Sequence, residues 1–172
     1  WLYDLKSVTL KNWNEEKTTN FEYTKWSDFV SSHNITKLID FAWNVYVENT
    51  YDDSDRVSVQ KFGQADITYN YTLSTDESYI EKNEVITRVW DKFIYTYNSW
   101  WQILSKEVFK KSGESYQYTY TYDLNNNLIK EKNPLWNGFT YSYDSKNNLI
   151  EKRQKSDVDS ENNTNDIVVS FE

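Results

Sequence analysis

Histidine-based catalysis has one candidate centre in this sequence, because His33 is the only histidine among 172 residues. The chain has no cysteine, so cysteine nucleophiles, thiolate metal sites and disulfides are all excluded. A nucleophile–base pair built on histidine would have to use His33. The residue follows the polar stretch VSS, and we interpret it as a loop histidine rather than as a base.

Carboxylates offer a second route to chemistry, and Asp52, Asp53 and Asp55 are close enough in sequence to suggest calcium. A calcium loop needs alternating oxygen ligands and a distant bidentate glutamate, whereas a repeated turn explains Asp52 and Asp55 more simply. A glycosidase needs two carboxylates at a set separation, and nothing singles out such a pair. A hydrolase remains an alternative, but we predict no catalytic residue, no cofactor and no metal site, and hence a protein that is not an enzyme.

Three tryptophans are the strongest candidates for binding. Trp100 and Trp101 are adjacent, and Trp136 lies in NPLWNG, which we interpret as a connecting loop. An exposed loop tryptophan can stack on a sugar or anchor a protein partner. The alternative, which we favour, is that each tryptophan fills the open end of an aromatic core.

The composition narrows the class of protein that can hold these residues. Leu, Ile and Val are sparse and aromatic residues make up 18% of the chain, so we expect a core of Tyr, Trp and Phe. The net charge of −8 disfavours binding to nucleic acid. The mean hydropathy is −0.88 and no apolar run reaches the ~18 residues of a membrane helix, so we predict a chain that does not itself span a membrane.

The start of the chain suggests a location. The sequence opens at Trp1 and contains no methionine, which fits a removed signal or lipoprotein leader. We therefore expect an extracytoplasmic protein, in the periplasm or at the cell surface of a Gram-negative bacterium. Glycosylation sequons at Asn34, Asn70 and Asn162 are no more frequent than chance in so polar a chain.

A repeat organises most of the chain. YTYDLNNNLIKEK (Tyr120–Lys132) recurs as YSYDSKNNLIEKR (Tyr141–Arg153), and related copies begin at Phe21, Asn49 and Tyr95. A further copy at Tyr69 carries two extra loop residues, and WLYDLKSVTL at the start is a degenerate seventh. Spacings of about 20 to 28 residues are typical of a supersecondary repeat.

Each copy is predicted to be a β-hairpin. Tyr116, Tyr118, Tyr120 and Tyr122 alternate with polar residues, which is the pattern of a strand.

The turns of these hairpins fall at fixed positions. Asp52, Asp123 and Asp144 end the strands and can accept a bond from a nearby backbone N–H. Three residues later, Asp55, Asn126 and Asn147 occupy a position that requires positive φ, which explains how a chain with three glycines makes so many turns. Trp101 takes this position in its own copy, so we predict a different turn there.

These residues resemble a known family. YDDSDRV (Tyr51–Val57), YDLNNNL and YDSKNNL are similar to the Tyr-Asp-x-x-Gly-Arg/Asn-Leu/Val frame of YD-repeat (RHS-type) proteins, with Asp or Asn at the Gly position. The resemblance implies hairpins side by side in a long antiparallel sheet. Large members form a shell around a toxin. This chain is too short for that and lacks their self-cleaving region, so the resemblance implies a small, non-toxin envelope member.

The predicted fold is all-β: one domain over 1–172, an antiparallel meander of hairpins in a strongly curled sheet or half-barrel with an aromatic core. The hairpins occupy about 21 to 153, followed by an acidic Asn-rich loop at 156–165 and a closing strand at 166–172. The best candidate helix is Asn34–Trp43, where Ile35 and Leu38 are among the apolar residues at helical spacing. A membrane barrel is disfavoured by charges such as Lys130 and Glu151 on the second strands.

The function predicted from these features is a non-catalytic extracytoplasmic scaffold. It would bind a protein partner as an accessory subunit of a larger cell-envelope complex. The alternative is a glycan-binding module that uses Trp100, Trp101 and Trp136.

Overall fold

The computed structural model describes residues 4–24, 33–88, 91–161 and 165–171. Within them every regular element is a β-strand. The strands follow one another in an antiparallel meander, which confirms the predicted all-β class. They are β1 (Ser7–Lys11), β2 (Glu16–Tyr23), β3 (Ile35–Ile39), β4 (Val45–Tyr51), β5 (Val57–Phe62), β6 (Ala65–Leu73), β7 (Ile80–Thr87), β8 (Lys92–Tyr97), β9 (Ile103–Phe109), β10 (Ser115–Tyr122), β11 (Leu128–Lys132), β12 (Gly138–Tyr143), β13 (Leu149–Lys155) and β14 (Ile167–Ser170).

The chain divides into two compact units, each described here by itself. The first comprises Trp1–Asn70 and Val85–Trp90, and the second comprises Tyr71–Glu84 and Asp91–Glu172. No helix in the described part of the chain is long and apolar enough to cross a membrane.

The first unit corrects the predicted helix at Asn34–Trp43. Residues Ile35–Ile39 form β3, which pairs with β2 on one side and with β4 on the other. Leu38 lies opposite both Phe21 and Val47, and Val47 is buried. The apolar spacing of a helix was present, but Ile and Thr are stiff, branched residues that favour a strand when partner strands are available on both sides.

In the second unit, one face carries the tyrosines with a charged residue between them, and we call it the tyrosine face. Tyr95 and Tyr118 both lie opposite Lys106 in the register of β8, β9 and β10. The Nζ atom of Lys106 is 5.9 Å from the ring centroid of Tyr95 and 5.8 Å from that of Tyr118. Glu131 lies opposite Tyr120 in the same way. The face is therefore a mixture of rings and long charged side chains, whose stems cover the rings.

This mixture corrects the expected aromatic core. The buried hydrophobic residues among those described are Val47, Val108 and Val158, and no large side chain is fully buried. Tyr118 and Tyr120 are half-buried. The physical reason is that each second strand places a lysine or glutamate on the same face as the tyrosines, so the rings are shielded from water by their neighbours without being enclosed.

The opposite face is polar, and the segment 156–160 folds back over part of it. The backbone N–H of Val158 donates to the carbonyl oxygen of Trp136 at 2.9 Å, and Val158 is 3% exposed. Asp159 forms ion pairs with Lys130 at 3.1 Å and with Lys132 at 2.6 Å. The first residues of the predicted acidic loop therefore pack against the polar face of the sheet. Residues 162–164 of this loop lie outside the described part of the chain.

Gly138 marks the point where two strands approach most closely. A Cβ atom added there would be 1.9 Å from the carbonyl oxygen of Glu131 on the neighbouring strand. Only a residue without a side chain fits this position.

Candidate functional site

The repeated turn is the best-defined local structure in the molecule, and Asp123 illustrates it. The backbone N–H of Asp123 donates to the carbonyl oxygen of Asn127, and the N–H of Asn126 donates back to the carbonyl of Asp123. The Asp123 side chain accepts from the N–H of Asn125 at 2.8 Å and from that of Asn127 at 2.9 Å. One carboxylate therefore satisfies two of the backbone donors that a tight turn leaves free.

The fourth residue of each turn adopts the left-handed conformation. Asp55, Asn126 and Asn147 have φ values of 62°, 68° and 63°. In the other copies of the turn, the same position is taken by Trp43 (φ 65°), Glu77 (φ 59°), Trp101 (φ 62°), Gly113 (φ 92°) and Trp136 (φ 68°).

The expectation of a different turn at Trp101 was therefore wrong. The N–H of Trp101 donates to the carbonyl of Asn98 at 3.0 Å, and the N–H of Asn98 donates to the carbonyl of Gln102 at 3.1 Å, as in the copies that begin at Asp123 and Asp144. The first residue can supply its side-chain oxygen whatever residue follows at the fourth position, so the turn tolerates tryptophan there.

Hydrogen bonds in the turns keep their aspartates ionised. The backbone N–H of Asn127, its side-chain amide and the N–H of Asn125 hold the pKa of Asp123 below its usual value. The side-chain amide of Asn148 leads the same effect on the pKa of Asp144. The hydroxyl of Ser74 and then that of Ser78 lower the pKa of Asp76 to about 2. Burial opposes the effect at Asp52, but bonds from Arg56 and Ser54 still lower its pKa.

In several copies a tyrosine precedes the turn, and it joins one hairpin to the strand beside it. Tyr51 donates to the carbonyl oxygen of Ile35 at 2.7 Å, and Tyr122 donates to that of Ile103 at 3.2 Å. Tyr23 makes the same contact with Leu5 at 2.9 Å. The Tyr-Asp pair thus has a structural role: the tyrosine fastens neighbouring strands and the aspartate closes the turn.

Successive turns on one edge are also linked to each other. Asn127 Nδ2 donates to Asn147 Oδ1 at 2.9 Å, and Gln102 Nε2 donates to the carbonyl oxygen of Asn126 at 3.1 Å. In the first unit, Asn34 Nδ2 donates to Asp55 Oδ1 at 2.7 Å. In the second unit, the fifth residue of one turn therefore contacts the fourth residue of the next turn on that edge.

The tryptophans that the structure describes are all exposed, which corrects the favoured interpretation that they fill a core. Trp13 is 103% exposed, Trp43 78%, Trp100 70%, Trp101 59% and Trp136 61%. They lie at turns, where the chain leaves the sheet, so the neighbouring strands do not enclose them.

The three predicted contact residues do not form one site. Trp100 and Trp101 lie in the turn from β8 to β9, whereas Trp136 lies in the turn from β11 to β12. In an antiparallel meander these two turns are at opposite ends of the strands. Two separate surfaces result.

The first surface, which we call the tryptophan edge, consists of Trp100, Trp101, Leu104 and Leu124. Leu124 is 103% exposed and Leu104 is 39% exposed. Trp100, Leu104 and Leu124 line an open groove of about 320 Å³. Asp123 also lines this groove and contributes negative charge.

The second surface, which we call the Trp136 groove, lies on the other edge and has a volume of about 410 Å³. Lys132 Nζ lies 3.5 Å from the centroid of the Trp136 ring. Glu107, Gln117 and Thr119 line the groove with polar groups.

The remaining chemical candidates have structural partners. His33 lies in a turn at φ 82°, and its Nδ1 atom is 2.6 Å from Asp4 Oδ1. Asp52 and Asp55 occupy the first and fourth positions of a turn. Within the described residues, no three histidine or acidic side chains lie close enough to hold a metal ion.

Sequence reasoning missed two features of these surfaces. Asp40, Asn98 and Asn133 each precede a tryptophan by three residues and an Asn or Gln by four, and this shared spacing identifies one turn motif. The spacing was visible, but Trp136 was placed in a connecting loop. The bonds between turns had no signal in the sequence, since they join residues about twenty positions apart.

No protein-family model matches the chain, and no curated protein sequence matches it. Solved structures are similar to it in fold. A crystal structure of TcdB2-TccC3-Cdc42 superposes with a TM-score of 0.61 and 17% identity over 82% of this chain. The Tc holotoxin pore of Photorhabdus luminescens, with a TccC3 variant, gives a TM-score of 0.59 and 14% identity over 90% of this chain.

This chain covers 7% and 8% of the lengths of those two chains. At these identities the similarity establishes the fold alone. The fold is of the YD/RHS type, which supports the predicted resemblance at the level of fold without assigning a family.

Proposed function

We propose that this protein is a non-catalytic binding module that docks a protein partner through the tryptophan edge. The observation that carries the proposal is the state of Trp101, which is held at φ 62° although the residue is 59% exposed. A bulky residue is rarely found in this conformation, and the left-handed region costs a residue with a Cβ atom about 1–2 kcal/mol. Burial of the ring does not offset that cost within the chain, so a contact outside it is the better explanation.

The composition of the tryptophan edge supports a protein partner. Tryptophan is enriched among the residues that dominate the energy of protein interfaces. Trp100, which is adjacent to Trp101 in sequence, and Leu124 add large apolar surfaces that line a groove at this edge. Scattered single apolar residues need no explanation, but a cluster of them at one edge is typical of a docking surface.

The charge of the tryptophan edge further restricts the kind of partner that it can bind. Asp123 lies in the groove with a lowered pKa, and the protein carries a net charge of −8. We therefore infer a partner that presents an apolar pocket with basic residues at its rim, because complementary charge speeds and orients association.

The proposal extends to an accessory subunit of a larger complex in the cell envelope, outside the cytoplasm of a Gram-negative bacterium. A fold shared with a part of a Tc holotoxin supports membership of an assembly.

The test is affinity purification of the tagged protein from the envelope fraction of its own cells, followed by affinity measurements with the purified partner. The double variant Trp100→Ser/Trp101→Asn should keep the turn and weaken binding by at least about tenfold. Trp136→Asn, at the other edge, serves as the matched control and should bind as the wild type does. If the double variant binds the partner as tightly as the wild type does, the tryptophan edge is not the docking surface. If the wild-type protein co-purifies with no partner, the proposed binding function is wrong.

We also propose that the meander is strongly curled, as a half-barrel. The half-buried tyrosine face favours curling, because a curved sheet brings the rings of neighbouring strands closer together. Small-angle scattering should give a radius of gyration below that of a flat sheet with the same strands, and a profile that fits the flat sheet would contradict the curl.

A further inference from the structure

We propose that the Trp136 groove is a binding site for a neutral carbohydrate of one to three sugar units. This site is separate from the tryptophan edge and does not depend on the protein partner. Its volume of about 410 Å³ lies within the range of small-molecule sites, which begins near 300 Å³.

The groove is lined by both apolar and polar side chains. Trp136 and Phe109 supply aromatic rings, while Glu107, Gln117 and Thr119 supply carboxylate, amide and hydroxyl groups. In the register of β9 and β10, Glu107 lies directly opposite Gln117, so both side chains are on the same face of the sheet. A sugar ring presents apolar C–H faces and a rim of hydroxyls, and this surface offers a partner to each.

Existing ion pairs and hydrogen bonds argue for a neutral ligand. Lys132 is paired with Asp159 at 2.6 Å, and Glu107 Oε1 accepts from Gln117 Nε2 at 2.9 Å. The charge of Lys132 is therefore paired, and one oxygen of the Glu107 carboxylate already accepts a hydrogen bond, before any ligand arrives. An anionic ligand would be repelled by the Glu107 carboxylate or would have to displace Asp159 from Lys132, whereas sugar hydroxyls can donate to that carboxylate without displacing a partner.

Trp136 is held in place before binding. Its turn fixes the backbone, its carbonyl oxygen accepts from Val158, and the Lys132 ammonium lies against one face of the ring. Trp136 nevertheless remains 61% exposed as a residue and lines the groove, so it is accessible to a ligand. Because the Trp136 side chain is already ordered, it loses less conformational entropy when a ligand binds.

The experiment is calorimetric titration of the whole protein with three neutral trisaccharides, maltotriose, cellotriose and N,N′,N″-triacetylchitotriose, and with trigalacturonate as the charged comparison. At least one neutral sugar should bind with a Kd on the order of 1 mM, as expected for a shallow site, and the charged sugar should bind at least tenfold more weakly. Trp136→Asn should keep its melting temperature within a few degrees and weaken binding at least tenfold.

Trp101→Asn is the matched control, since it makes the same change at the other edge, and it should bind sugar as the wild type does. The proposal is overturned if no neutral trisaccharide binds at about 10 mM, if trigalacturonate binds best, or if Trp136→Asn binds normally. None of these results bears on the protein partner, which is tested with the Trp100 and Trp101 variants.

Discussion

The phenol hydroxyl of Tyr143 donates a hydrogen bond of 2.9 Å to the backbone carbonyl oxygen of Leu128 on the preceding strand. Tyr143 ends β12 and Leu128 begins β11, so the bond joins two neighbouring copies of the repeat. Three other copies make the same kind of contact through Tyr23, Tyr51 and Tyr122. The tyrosine that the motif shares is therefore a fastening between repeats.

Tyr143→Phe should lower the free energy of unfolding by about 1 kcal/mol, because it removes the donor and leaves the Leu128 carbonyl unpaired. The melting temperature should fall by about 3 °C in a chain of this size. Tyr116→Phe is the control: its hydroxyl bonds to the exposed Glu114 carboxylate and its loss should change little. Equal effects of the two changes would show that the bond to the backbone has no special role.

Trp101→Asn should raise the free energy of unfolding by about 1 kcal/mol, because asparagine tolerates the left-handed conformation and little buried surface is lost. Chemical denaturation measures the change. The matched reverse substitution, Asn126→Trp, should be destabilising by a similar amount. A loss of stability in Trp101→Asn would mean that the ring packs within the fold, and the argument from strain would then fail.

Gly138→Ala should be strongly destabilising, by about 3 kcal/mol, since the new methyl group would collide with the Glu131 carbonyl and force β11 and β12 apart. Gly113→Asn is the contrasting change. Gly113 has φ 92° and an open space around the added atom, so asparagine there should be nearly neutral. Thermal melts of both variants test the difference, and a stable Gly138→Ala would contradict the close approach.

Acid should destabilise the fold between about pH 4 and pH 2. A carboxyl whose pKa is lower in the folded state adds stability above its unfolded pKa of about 4, and this contribution is lost as the pH falls through the folded value. Asp76 has a folded pKa of about 2, and the pKa values of Asp123 and Asp144 are also lowered. The measurement is the denaturation midpoint as a function of pH.

Asp123→Asn/Asp144→Asn supplies the control for that pH series. Asn98 and Asn133 occupy the same turn position naturally, so the double variant should fold and show a shallower loss of stability in acid. If the loss of stability in acid is the same in the double variant, groups other than Asp123 and Asp144 cause it.

The regular parts of the fold could be predicted from the sequence because their cause is local. Alternating tyrosines indicated β10, and the spacing from Asp123 to Asn126 pointed to a turn, since both patterns act within a few residues of the chain. The helix expected at Asn34–Trp43 failed because β2 and β4 flank this segment and select a strand. The helix and strand propensities of the segment itself contain no information about these neighbouring strands.

The binding surfaces were harder to predict, because exposure depends on contacts between distant residues. Large aromatic rings are buried more often than not, yet the described tryptophans lie outward at turns. Whether Trp100 and Trp136 share a surface depends on strand order, which places them at opposite edges. The identity of these candidate residues could be read from the sequence, but their grouping required the fold.

Two positions of the repeated turn have different roles. Its first residue, such as Asp40, Asn98 or Asp123, supplies the oxygen that organises the backbone, while its fourth residue projects outward and varies among aspartate, glutamate, asparagine, glycine and tryptophan. The displayed side chain can therefore change while the first residue still organises the backbone of the turn, although Asp55 and Asn147 also accept bonds from a neighbouring turn. The fourth position of each turn is thus a site where the exposed side chain can vary, and a new binding property can arise through a substitution in a single turn.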